Sequence, residues 1–234
     1  MNTTTTTASG LKISNETLEI LKNFSSINSN ILVKPGNIIS TISPVKNIMA
    51  EAKVSENFDC EFGVWDLNKF LGTISLFKDP EFCFEEKFVT ITSNSNKSAV
   101  KYYYSEPSLL TTINKKIVMP EIAVHCTLTD GQLTEIKKAS SILQVNDIAI
   151  RSNGSTVELV TMDKNDKSTN NFSIDIGDNT DGSEFVFYFK SENLKMLQGS
   201  YDVRITEKVV SEFQHQSKDL TYWVALESDS TYSS

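Results

Sequence analysis

The sequence predicts an α+β chain made of two similar halves, each an antiparallel β structure carrying short amphipathic helices. Three observations lead there. Alternating or aromatic-rich runs of strand length, broken by turn residues, fill most of the 234 residues. Only four segments carry a helical stripe, and all are short. The order helix, Ser-Ser-Ile, strand, glycine turn, strand occurs twice, at Ser25-Ser26-Ile27 with Gly36 and at Ser140-Ser141-Ile142 with Gly154.

Taken in order, Met1–Gly10 is a threonine tract with the composition of a disordered leader. A helix follows over Asn15–Ile27, with Leu18, Leu21 and Phe24 on one stripe and Ile20 and Ile27 flanking it. Strands are expected at Asn30–Lys34 and Asn37–Ile42, with Pro35-Gly36 as a hairpin turn, then at Ile48–Val54 and Asp59–Trp65. Asp66 caps a second helix over Leu67–Leu76, and strands Lys87–Thr92 and Ala99–Tyr104 complete the first half. Ser105–Ile117 has a proline, polar residues and no clear period, which places a first domain at 11–107, a linker at 108–117 and a second domain at 118–234. Each half has roughly 100 residues, a size that can bury its own core.

The second half opens with a strand over Val118–Thr127. Thr129 and Gln132 have capping-box spacing before a helix at Asp130–Leu143 that lines up Leu133, Ile136 and Leu143. Strands Asp147–Arg151 and Thr156–Met162 flank Asn153-Gly154, a dipeptide that tolerates the positive φ of a tight hairpin. Strands Phe172–Ile176 and Glu184–Phe189 lead to a fourth helix, Glu192–Leu197, entered through Ser191 and stopped by Gly199. Strands Tyr201–Glu207 and Tyr222–Leu226 close the chain. Lys69 in the second helix and Lys195 in the fourth occupy matching places in the two halves.

The formal net charge is −8, from 22 basic and 30 acidic side chains. Residues 1–107 hold 10 basic and 12 acidic groups, and 108–234 hold 12 and 18. A phosphate-binding protein usually shows a basic footprint, so any role on DNA requires a local basic lining inside an acidic body. No apolar run approaches the roughly 18 residues that span a bilayer, and the N-terminus lacks the pattern of a secretory signal. A cytoplasmic protein is therefore expected. Cys60, Cys83 and Cys126 cannot all pair and are expected to be reduced and buried.

Catalytic chemistry finds no foothold. His125 beside Cys126 has no second Cys or His at ligand spacing, and reads as a packed strand residue. Asp175, Asp178 and Asp181 before Gly182 miss the order of a calcium loop. Glu85-Glu86 in a strand point to opposite faces. There is no Gly-rich phosphate loop. No enzyme, metal or cofactor is expected. A β-rich virion protein, also acidic and non-enzymatic, is the alternative reading.

Five stretches carry a more specific likeness. Leu21-Lys22-Asn23-Phe24-Ser25-Ser26-Ile27-Asn28-Ser29 resembles the first helix and turn of the sliding clamps of T4-like bacteriophages. Trp65-Asp66-Leu67-Asn68-Lys69-Phe70-Leu71-Gly72 is similar to that family's second helix. Leu143-Gln144-Val145-Asn146-Asp147-Ile148-Ala149-Ile150 resembles the exit from its third, and Asn193-Leu194-Lys195-Met196 with Gly199 and Tyr201 resembles its fourth. Tyr222-Trp223-Val224-Ala225-Leu226-Glu227-Ser228-Asp229-Ser230-Thr231 resembles the family's C-terminus almost residue for residue. The matches keep the family's order from about Leu11 to Thr231. The leader, Phe77–Ile117 and the acidic loop Asp163–Gly182 depart from it.

The resemblance implies a homotrimeric ring of six similar domains, with helices lining the hole and antiparallel sheets on the outside. It implies a clamp that encircles double-stranded DNA without sequence preference and tethers a replicative DNA polymerase. An ATP-dependent clamp loader would place it there, in the cytoplasm of an infected bacterium and without any membrane. T4-like relatives also couple to late transcription, a second role the resemblance raises. The DNA-facing residues it implies are Lys22, Lys69, Lys137, Lys138 and Lys195 on the polar faces of the helices, with Lys12 just before the first. Partner docking is expected near Leu109 and Leu110 in the linker and Ala225, Leu226 and Glu227 in the last strand.

Overall fold

The computed structural model describes residues 10–93, 97–113, 117–166, 168–207 and 209–233. Residues 1–9 of the threonine leader and 114–116 of the expected linker lie outside them. The chain forms two compact units: Met1–Pro44 with Glu51–Asn114, and Val45–Ala50 with Lys115–Ser234.

In the first unit, α1 (Asn15–Ile27) is followed by β1 (Ile31–Val33), β2 (Gly36–Ile42) and β3 (Ile48–Phe58). Then come β4 (Phe62–Val64), α2 (Leu67–Ile74), β5 (Glu81–Phe84), β6 (Phe88–Ser93) and β7 (Ser98–Tyr103). Ser14 caps α1 by accepting the Thr17 N–H, and Asp66 Oδ1 caps α2 by accepting the Lys69 N–H at 2.9 Å. α1 buries Thr17, Ile20, Leu21, Phe24 and Ile27, while Leu18, expected on the stripe, is half-buried. α2 buries Leu67, Phe70 and Ile74, and its start is tied to the end of α1 where Leu67 N donates to Ser29 O at 2.7 Å.

Pro35-Gly36 does not close a paired hairpin. β1 pairs antiparallel with β4 instead, Ile31 opposite Val64, and β2 lies beside β3. β5, a strand absent from those the sequence predicts, heads a three-stranded sheet in the order β5-β6-β7. Phe58, Phe62, Phe84 and Tyr104 gather in tilted and edge-to-face contacts beneath these strands, with centroids 4.9–5.9 Å apart.

Residues expected to link the halves are partly fixed on the first unit. Pro107–Leu109 is a 3₁₀ turn, Leu110 is buried, and Thr111 N donates to Asn30 Oδ1 at 3.0 Å. Gly63 makes this docking possible, since its carbonyl accepts the Ser105 N–H at 2.9 Å. A Cβ on Gly63 would stand 2.5 Å from Ser105 O and 2.7 Å from Leu110 Cδ1.

The second unit contains β8 (Ile122–Leu128), α3 (Asp130–Leu143), β9 (Asp147–Asn153), β10 (Thr156–Met162), β11 (Phe172–Asp178) and β12 (Glu184–Lys190). β13 (Tyr201–Thr206), β14 (Val210–His215), β15 (Leu220–Ala225) and β16 (Thr231–Ser233) complete it. One sheet runs β11-β10-β9-β12-β16; in the other, β15, β14, β13 and β8 follow the first residues of β3. That start of β3 belongs here because Asn47 O accepts the Ala225 N–H at 2.9 Å and Asn47 Nδ2 donates to Asn193 Oδ1 at 2.8 Å. The capping box at Thr129 and Gln132 forms as the spacing predicts, and Asn153-Gly154 turns β9 into β10 with Gly154 at φ 91°. Among the cysteines, which are all free, the side chains are half-buried rather than fully enclosed, and burial pushes the Cys126 thiol up to about 12.

The fourth helix does not form. Ser191–Asn193 is a single 3₁₀ turn, after which Leu194 and Met196 are buried and Lys195 between them is exposed. That is a period of two, and tertiary partners replace helical ones. Leu197 N donates to the Tyr222 hydroxyl at 3.1 Å, Tyr201 donates its hydroxyl to Leu197 O at 2.6 Å, and Asp130 accepts the Gly199 N–H at 2.9 Å. The two halves nevertheless share a scheme, because β9 pairs with β12 as β1 pairs with β4, and each second strand leads into a helical turn.

Glu56 on β3 is buried, and its two oxygens accept the Ser14 N–H and the Thr17 hydroxyl, each at 2.5 Å. Burial pushes this carboxyl upward, but the hydrogen bonds from Thr17 and Ser14 prevail and hold it below its usual value. Glu56→Ala is expected to cost about 1–3 kcal/mol in denaturant titrations near neutral pH. In the parent protein that stabilisation is complete above the unfolded carboxylate value of about 4.3 and is lost as pH falls through the lowered folded value. The gap between parent and variant should therefore close in acid. Gly63→Ala is expected to cost about 1–3 kcal/mol through overpacking, read from the same titrations.

Candidate nucleic-acid and partner surfaces

The outward faces of the helices set what the molecule can offer to a polyanion. Burying one stripe of α1 leaves Glu16, Glu19 and Lys22 exposed; α2 exposes Lys69, and α3 exposes Glu135 and Lys138. On these faces cations and carboxylates balance. Lys69 differs in standing on a helix whose other exposed residues are uncharged. Lys137 is half-buried on α3; burial lowers its pKa while Asp130 pulls the other way. It lines clefts that α3 forms with 191–192 and with 196–199, so the segment carrying Lys195 lies along α3 much as α2 lies along α1. Lys12 is exposed and stands 4.0 Å from Asp79, a surface pair of little energetic weight.

Of the residues expected to dock partners, Leu109 is exposed and Leu110 is buried in the first unit. Burial of Leu110 against Gly63 makes it a pin for the chain rather than a contact surface. Ala225, Leu226 and Glu227 are half-buried in the second unit. Two neighbours that sequence reasoning missed complete the picture there. Leu226 N donates to Val209 O at 2.9 Å, and Val209 is 71% exposed. Ala225 N donates to Asn47 O, two residues from Val45, which is 76% exposed. Backbone bonds thus bring the turn that carries Val209, and the turn that carries Val45 two residues before Asn47, to the end of β15. Val209 holds φ at 110°, a conformation that a β-branched residue reaches only under strain. Both valines sit in turns, where no periodicity marks them.

The remaining chemistry is local. His125 is exposed, opposite Arg204 on β13. Asp181 Oδ1 accepts the N–H and hydroxyl of Ser183, and among the described residues no group of three or more His, Cys, Asp or Glu is placed to hold a metal ion.

Comparison with known proteins decides the family. Residues 14–119 match the family described as DNA polymerase processivity factor, and residues 126–228 match the gp45 sliding clamp, C terminal. The sliding clamp of Vibrio phage KVP40 is 32% identical over 222 residues, covering 93% of this chain and 99% of that protein. The chain belongs to the sliding clamps of T4-like bacteriophages. The clamp of Enterobacteria phage T4 is 29% identical over 226 residues, covering 95% of this chain and 99% of that one. The fold extends further: A. fulgidus PCNA, solved with the C-terminal region of FEN-1 bound, superposes with a TM-score of 0.65 at 14% identity, over 89% of this chain and 93% of that chain. Membership makes this clamp chain an accessory factor for processive DNA synthesis, and the virion-protein alternative falls away.

Proposed function

We propose that this clamp acts as a closed homotrimeric ring around double-stranded DNA, placed there by an ATP-dependent loader and holding the replicative polymerase, in the cytoplasm of the infected host. Retention by a ring needs no tight contact, and tight contact would stop sliding. What supports this reading is membership of the sliding-clamp family over both halves of the chain. The exposed helical faces balance Lys22, Lys69 and Lys138 against Glu16, Glu19 and Glu135, short of the basic lining the sequence led one to expect. Phosphates meet a few cations, with Lys69 and Lys195 foremost and Lys12, Lys22, Lys137 and Lys138 in support. The net charge of −8 keeps DNA from the remaining surface.

Ring closure is supported by two sheet edges. β7 ends its three-stranded sheet with Lys101 and Tyr103 exposed, and β11 ends its five-stranded sheet with Asp175 and Asp178 exposed. Open edges of this length invite pairing, and a basic edge meeting an acidic edge of the next subunit gives a head-to-tail contact that closes on itself. Polymerase and loader take the apolar residues Val45, Val209, Ala225 and Leu226 through a short apolar segment. The same surface serves any coupling to late transcription. Tethering then raises the polymerase's effective concentration at the primer end.

Lys69→Glu with Lys195→Glu should leave the trimer intact by light scattering while shortening clamp-dependent primer extension by about tenfold. Unchanged extension lengths would refute the DNA-facing assignment. Val209→Gly should move stability and docking in opposite directions. Relief of the φ strain raises stability by about 1 kcal/mol, and loss of the side chain raises the half-saturating polymerase concentration about fivefold. Calorimetry and primer extension read the two effects separately.

A further inference from the structure

The segment that carries Leu226 onward is held in an unusual way. After β15 the chain leaves its own sheet and crosses to β12. Glu227 N donates to Tyr188 O at 2.9 Å, and Ser230 Oγ accepts the Tyr188 N–H at 3.0 Å. Only then does β16 pair with β12, over three residues. Short pairing of this kind leaves the crossing segment dependent on its side chains.

Those side chains converge on one ammonium. Lys164 Nζ lies 3.2 Å from Glu227 Oε2 and 2.8 Å from Asp229 Oδ1, and 5.5 Å from the centre of the Tyr188 ring. Its own backbone is pinned, since Lys164 N donates to Asp147 Oδ2 at 3.2 Å. Asp147 is buried and also accepts Lys190 Nζ at 2.6 Å, while Lys190 reaches Glu227 at 3.9 Å. Two cations therefore serve three carboxylates. The Lys164 side chain is 11% exposed and Glu227 29%, so solvent screens that pair less than one between surface residues, while the pair with Asp229, itself half exposed, is open to solvent. Without it, Glu227 is left with Lys190 at 3.9 Å, an ammonium that Asp147 already holds at 2.6 Å, and Asp229 loses its ion pair, so the crossing segment loses its tie to Lys164.

We propose that Lys164 is a positioning residue for partner docking: by latching Glu227 and Asp229 it fixes the segment that presents Leu226 beside Val209. This rests on the docking surface described above. Lys164 itself touches no partner. It supplies the rigidity that lets an incoming apolar segment find Leu226 already placed, and so avoids the ordering cost at binding.

The test uses the full chain, loaded on primed circular DNA, with the cognate polymerase as probe. Half-saturating polymerase concentration and plateau rate are measured for Lys164→Met, Lys164→Arg, Asp229→Asn and Leu226→Ala, with hydrogen exchange at the Glu227 and Tyr188 amides. Lys164→Met should raise the half-saturating concentration about tenfold, the scale of a lost charge-assisted hydrogen bond. Its plateau rate should be unchanged and both amides should lose protection. Arginine should restore both readings, which a loss of general stability would not allow. Asp229→Asn removes only the more exposed arm, and should give about a threefold rise even if the methionine variant fails to fold. A rise for Leu226→Ala with none for the Lys164 and Asp229 variants would overturn the latch and leave the docking surface standing. No rise in any variant would overturn both.

Discussion

A short helix can bury only one stripe, and in this chain that limitation organises the rest. α1 and α3 run 13 and 14 residues, too short to be stable in water without a surface to lie on. The sheets supply that surface, β2 beside α1 and β9, β10 and β11 beside α3. Because burial uses one face, the opposite face of each helix stays in water and can carry whatever charge the task needs. The task calls for little. Phosphates must not be repelled, and neither must they be held.

An acidic protein that works on DNA is less paradoxical on these terms. Electrostatic attraction normally supplies affinity for a duplex, and it brings a cost in sliding speed and in binding to the wrong surface. A molecule that depends on enclosure can give up that affinity. Its partners then need a different kind of contact, and burial of apolar surface supplies one in which desolvation rather than charge drives association. Charge has a different place in the second unit, in the pairs of Lys164 with Glu227 and Asp229 and of Lys190 with Asp147.

How much of this was legible in the sequence depended on the range of the interaction. α1, α3, the Thr129 capping box and the Asn153-Gly154 hairpin follow from residues a few positions apart, and the pattern predicts them with their ends. The segment after Ser191 reads as a helix by propensity, yet Tyr222, Tyr201 and Asp130 capture its backbone from far along the chain. β14 escapes notice because it buries polar side chains: Ser211 donates to Val224 O, and Glu212 pairs with Arg204 and accepts the Trp223 indole N–H. No hydrophobic alternation announces such a strand. Likewise Lys69 and Lys195 were visible as residues but without a direction, and Val45 and Val209 not at all, since only the fold brings two turns to the same strand end.

A clamp held on DNA by enclosure and not by affinity should depend on the topology of its substrate. Loaded clamps on a closed circular duplex, isolated by gel filtration at moderate salt and then cut once with a restriction enzyme, test it most directly. Clamps should co-elute with the intact circle and run off within minutes of linearisation, unless the ends are blocked. Clamps that remain on unblocked linear DNA as they do on the circle would show that the protein grips its substrate, and would contradict the account.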